Sequence, residues 1–183
     1  MSSTRLLAAL DFAAEKHRAQ RRKSEGDVPY INHPIRVARL VAEVGGVEDE
    51  EVLIAAVLHD TLEDTAATRA ELDAAFGTAV RRLVEEVTDD KGLPKAERKR
   101  LQIVHAHELS AGSTVIKLAD KIANVSDLIH APPVDWTAER VREYLDWAEA
   151  VVRAMPMVNA RLEGRFAEVL AEARRTVALE SRL

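Results

Sequence analysis

Val52-Leu-Ile-Ala-Ala-Val-Leu58 is the longest stretch of the chain without a polar side chain. Wound as a helix it is apolar on every side, which only a helix enclosed by other elements tolerates. It runs directly into His59-Asp60-Thr61-Leu62-Glu63-Asp64. The pattern predicts one helix from about Asp49 to Asp64. At about 100° per residue, His59, Asp60, Glu63 and Asp64 share an arc of about 140°. Three carboxylates and an imidazole beside a buried segment repel one another and lose hydration unless a cation compensates them. The plainer account is that the helix emerges into water at residue 59 and its acids are solvated.

Two other segments bear on that choice. In Tyr30-Ile-Asn-His33-Pro34, a His before a helix-starting Pro is expected to have an extended backbone and a side chain aimed away from the helix entrance. Alone it would be a capping residue. In Lys117-Leu-Ala-Asp120-Lys-Ile-Ala-Asn124, Val115, Leu118, Ile122, Val125 and Ile129 make an apolar stripe, with Lys117, Asp120, Asn124 and Asp127 opposite. Alone this is an ordinary amphipathic helix. Together, His33, the His59-Asp60 pair and Asp120 would offer two nitrogens and two oxygens. Such a set suits a borderline divalent ion such as manganese and leaves positions open for water and substrate.

The rest of the chain also reads as helix. One helix is predicted from Ser3, as its cap, to about Arg21, with Leu6, Leu7, Leu10, Ala13, Ala14 and His17 facing inward. Others run from Pro34 to Gly45-Gly46, from the capping box Thr68-x-x-Glu71 to before Gly77, and from Thr78 to Thr88. Further helices are predicted over Lys95 to Glu108, Ser113 to His130, and from a cap at Thr137 to Met155. No alternating strand of useful length is present. Aromatic residues are only 4% of the sequence, so the core must be mostly Leu, Val, Ile and Ala. The expectation is an all-α fold: a body over residues 1–155 and a last helix within 156–183. That helix carries the stripe Val158, Leu162, Phe166, Val169, Leu170, Ala173 and Val177. The stripe packs either on the body or on a second copy, as a homodimer.

Composition narrows the function. With no Cys there is no disulfide framework, thiolate nucleophile or thiolate-bound zinc, which fits a reducing compartment. The apolar runs are too short for a membrane span. Met1-Ser-Ser-Thr-Arg-Leu-Leu lacks the features of a signal peptide, so a cytoplasmic location is expected. A formal net charge of -5 argues against a nucleic-acid coat.

The motifs Arg21-Arg-Lys23, Pro29-Tyr-Ile-Asn-His-Pro34, Leu58-His-Asp-Thr-Leu-Glu-Asp-Thr65, Val84-Glu-Glu-Val-Thr-Asp-Asp-Lys91 and Lys117-Leu-Ala-Asp-Lys121 resemble the HD-type hydrolase domain of RelA/SpoT proteins. The small alarmone hydrolases, which include the metazoan SpoT homologue, are the hydrolase-only form of that family. The resemblance covers about residues 4 to 154. It implies a single-domain HD-type helical bundle that hydrolyses ppGpp and pppGpp at the 3′ position with manganese, releasing pyrophosphate. It also implies His33, His59, Asp60 and Asp120 as metal ligands and Glu63 and Asp64 as the acids that support water activation. Arg22, Lys23, Lys95, Asn124, Arg140 and Tyr144 match positions that hold the guanosine polyphosphate. The length of 183 residues leaves no room for the synthetase domain of the long forms, so hydrolysis without synthesis is expected. Removal of the 2′-phosphate of NADPH is the alternative reaction. Trp136 and Trp147 read as core residues.

Overall fold

The computed structural model describes residues 3–24 and 26–180, except for the side chains of Ser3 and Glu180. The predicted Ser3 cap therefore lies outside the described residues. The helices are α1 (Ser3–Lys16), α2 (Asn32–Arg39), α3 (Glu50–Leu58), α4 (Thr61–Asp64), α5 (Arg69–Phe76), α6 (Thr78–Val87), α7 (Lys95–Val104), α8 (Ala111–His130), α9 (Ala138–Ala154) and α10 (Ala160–Glu180). A π turn, Leu40–Val44, prolongs α2, and a 3-10 turn, Ala106–Glu108, follows α7. Among the described residues there is no strand, only an isolated bridge between Arg21 and Pro29. None of the described helices is long and apolar enough to cross a membrane.

The apolar run is the centre of the molecule. Val52 to Leu58 are all buried, and α1, α2, α6 and α8 pack around α3. The Asp49 carboxylate starts the helix by accepting from the amides of Glu51 at 2.9 Å and Val52 at 3.3 Å. Beyond Leu58 the structure corrects the single continuous helix. The chain breaks at His59-Asp60, and α4 restarts at Thr61. Thr61 Oγ1 donates to the Leu58 carbonyl at 2.7 Å, satisfying an acceptor at the broken end.

Four other expectations are corrected. First, α1 stops at Lys16 rather than Arg21, because a turn closed by Gln20 N to His17 O at 2.8 Å redirects the chain. Second, Leu7 of the expected inward set is 63% exposed, and Ala9, outside that set, is buried; Ala13 and His17 are buried as expected. Third, His33 is not extended. It lies inside the first turn of α2, where Pro34 forfeits only an amide that has no helical partner. Fourth, α8 is buried well beyond one stripe. Ile116, Ala119 and Ala123 are covered too, because α2, α6, α9 and α10 enclose it. The Thr68 capping box and the Thr137 cap form as the sequence predicts.

The stripe of α10 is covered within the same chain by α8 and α9. Leu162, Phe166, Val169, Leu170, Ala173 and Val177 are all buried, and each large side chain contributes roughly 1.5–3 kcal/mol. Val158 stays 39% exposed. A Cβ on Gly45 would lie 2.6 Å from the Val41 carbonyl oxygen and 3.1 Å from Leu162 Cδ1, so glycine allows α10 to approach the backbone here. Asn159 Nδ2 fixes the approach by donating to the Gly45 carbonyl at 2.9 Å.

Candidate metal centre

The break after α3 aims His59 and Asp60 into a cavity of about 390 Å³. That volume falls within the range of small-molecule sites. His33 reaches it from α2 and Asp120 from α8. His59 Nδ1 donates to the Ala56 carbonyl at 2.8 Å, which leaves Nε2 to face the cluster. Each imidazole lies between the two carboxylates. His59 Nε2 is 3.0 Å from Asp60 Oδ2 and 3.9 Å from Asp120 Oδ1. His33 Nε2 is 3.1 Å from Asp120 Oδ1 and 3.7 Å from Asp60 Oδ2.

These residues fit a divalent cation. Ligand atoms of His33, His59 and Asp60 all lie within 4.8 Å of one another, with Asp120 adjoining both imidazoles. Donors about 2.1 Å from one ion are separated by about 3 Å or more, as here. His59 Nε2 is buried and makes no hydrogen bond. The charge balance agrees. Burial disfavours a charged His59, yet Asp60, Asp120 and the Ala56 carbonyl together outweigh it and raise His59 to about 9. Asp60 and Asp120 stay well below the usual carboxylate range although burial opposes it, held there chiefly by His59 and by Lys121 respectively. The two carboxylates thus favour positive charge between them, and a divalent cation bound there would displace the imidazole proton.

Glu63 and Asp64 line the same cavity. Glu63 Oε2 accepts from the Asp89 amide at 3.1 Å, and Oε1 lies 3.6 Å from Arg98. Burial raises its pKa, with Asp89, Asp60 and Asp64 adding repulsion. Asp64 accepts from Tyr30 Oη at 3.3 Å and pairs with Lys91, while Gln20 donates to its backbone carbonyl.

Of the predicted substrate residues, Arg22, Lys23, Asn124 and Tyr144 line the cavity. Arg22 reaches it because α1 has already ended, and it donates to Asp127 at 2.7 Å and Asn124 at 3.2 Å. Asn124 donates in turn to Asp120 Oδ1 at 2.6 Å. Burial pushes the Tyr144 hydroxyl up. Lys95 and Arg140 are not brought there: Lys95 is exposed at the start of α7, and the Arg140 guanidinium sits 4.6 Å over the Trp136 ring. Sequence reasoning assigned no part to Tyr30, Asp89, Gln102 or Lys121, and took Trp136 for core, yet all five line the cavity. Tyr30 and Lys121 each sit next to or within three residues of an expected ligand in its motif, and that adjacency was the available signal.

A model of the HD domain matches residues 9–146. The chain belongs to the HD-domain family. Among HD-domain relatives, the guanosine-3′,5′-bis(diphosphate) 3′-pyrophosphohydrolase MESH1 of Homo sapiens is 53% identical over 161 residues, covering 88% of this chain and 90% of that one. The protein of the same name from Drosophila melanogaster is 46% identical over 167 residues, covering 91% and 93%. A solved structure, described as a metazoan ortholog of SpoT that hydrolyzes ppGpp and plays a role in starvation responses, superposes with a TM-score of 0.91. It is 44% identical and covers 94% of this chain and 97% of that one.

Proposed function

We propose that this chain is a guanosine-3′,5′-bis(diphosphate) 3′-pyrophosphohydrolase that works with manganese and acts in the cytoplasm. The observation that carries the reading is the convergence of His33, His59, Asp60 and Asp120 beside Glu63 and Asp64 in one nucleotide-sized cavity. The hydrolase-only relatives of nearly the same length supply the substrate. Bound by those four residues, Mn2+ would lower the pKa of water and polarise a phosphoryl oxygen.

The protein's own groups do the rest. Glu63, held by the Asp89 amide and raised by burial, orients the attacking water and takes its proton. Asp64, fixed by Tyr30, Lys91 and Gln20, supports that proton path. Water oxygen bonds to the 3′-α phosphorus as the bond from phosphorus to the ribose 3′-oxygen breaks. The 3′-oxygen ends as a hydroxyl, and the products are GDP and pyrophosphate. Arg22 and Lys23 hold phosphates, and Asn124 and Tyr144 contact the nucleoside. Lys95 and Arg140, which do not line the cavity, enter this reading only as charges on the surrounding surface. We read residues 1–155 as the catalytic body and 156–183 as its cover.

Incubating Mn2+-loaded protein with ppGpp, and separately with NADPH, tests the reading. Pyrophosphate and GDP from ppGpp are expected. Orthophosphate from NADPH without turnover of ppGpp would overturn it.

A further inference from the structure

Asp120 uses its two oxygens differently. Oδ1 accepts from Asn124 and faces His33 at 3.1 Å. Oδ2 faces the Lys121 ammonium at 3.3 Å. Lys121 is only 3% exposed, although lysine is almost never fully buried without a reason. Its Nζ lies 4.5 Å from the centre of the Trp147 ring. The ring itself is fixed, because Trp147 Nε1 donates to the Lys99 carbonyl on α7 at 3.0 Å. The ammonium is therefore clamped between an indole face and one carboxylate oxygen.

We propose that Lys121, steadied by Trp147, is a positioning residue for the metal centre. It holds Oδ2 of Asp120 away from the cation so that Asp120 presents Oδ1 alone. A carboxylate free to rotate would have to be ordered each time the cation binds, and that ordering costs affinity. An ammonium on Oδ2 prevents that and sets the carboxylate plane. Partners behind a metal ligand commonly have this effect.

The inference rests on the metal reading above, and one experiment separates the two. Mn2+ affinity is measured by calorimetry on wild type, Lys121→Met, Lys121→Arg and Trp147→Leu, with thermal unfolding of each recorded alongside. If Lys121 acted only as a charge, removing it would tighten the binding of a cation. If it positions Asp120, Lys121→Met should bind Mn2+ about tenfold or more weakly. Lys121→Arg should recover most of that loss, and Trp147→Leu should fall between. Unchanged or tighter binding in Lys121→Met overturns the inference. Should that variant fail to fold, unchanged affinity in Trp147→Leu overturns it equally. Wild-type protein that takes up no Mn2+ would remove the metal reading and this inference with it.

Discussion

Tyr30 Oη donates to Asp60 Oδ2 at 2.6 Å, the oxygen that also lies 3.0 Å from His59. A ring on the loop before α2 thus fixes a carboxylate at the break between α3 and α4. The ring is itself stacked on buried His17, with centroids 4.8 Å apart. Tyr30→Phe keeps the stacking and deletes the donor. It should weaken Mn2+ binding about tenfold, the scale of a lost partner behind a ligand, and leave the fold intact. Calorimetric titration with Mn2+ and a thermal melt check both halves.

His59→Ala or Asp60→Ala should abolish turnover through loss of the metal, with partial recovery at most in excess Mn2+. Metal content per chain after desalting is the deciding measurement. A variant that keeps a full equivalent would contradict the ligand assignment.

Glu63→Gln should retain the metal and lose about 10²–10⁴-fold in kcat, because the geometry persists while the base is gone. Burial raises the Glu63 pKa, so its basic form is lost at a higher pH than for an ordinary glutamate, near 4.3. Wild-type activity should decline as pH falls through that raised value. The residual activity of Glu63→Gln should lack this acid limb.

Arg22 is tied to Asp127 and Asn124, so a substrate phosphate must take it over from a carboxylate. Arg22→Ala should raise KM for ppGpp about tenfold or more, the scale of a lost hydrogen bond to a charged group. Arg140→Ala, outside the cavity lining, should raise it less. An equal or larger effect at Arg140 would show that the bound substrate extends across Trp136.

Leu162→Ala removes a fully buried side chain from the contact with Gly45. It should lower stability by about 2–5 kcal/mol in chemical denaturation. The folded fraction should keep its kcat, since Leu162 does not line the cavity.

Much of this was legible from residue types. The central helix announced itself through Val52 to Leu58, and the four proposed ligands through their motifs. The break at His59-Asp60 was not legible. Helical periodicity continues through it, and only the Thr61 bond to Leu58 with the surrounding packing shows where the ladder stops. The end of α1 was hidden in the same way: Arg18, Arg21 and Arg22 suit a helix, and the Gln20 turn that ends it depends on contacts with Asp64, far away in sequence. Lys95 and Arg140 were named from the family resemblance, and a matching position does not say which wall of a cavity a surface helix borders. The α10 stripe was visible, but its cover was not, because an apolar face looks the same whether its partner is α8 or another copy.

The matched HD-domain span ends at residue 146, yet α10 lies against α8, the helix that carries Asp120, Lys121 and Asn124. A fragment trimmed to the matched span would strip one wall from that helix and leave its apolar side in water. Expression trials should therefore keep the tail, because the most recognisable part of the chain lacks the cover that this helix has in the whole.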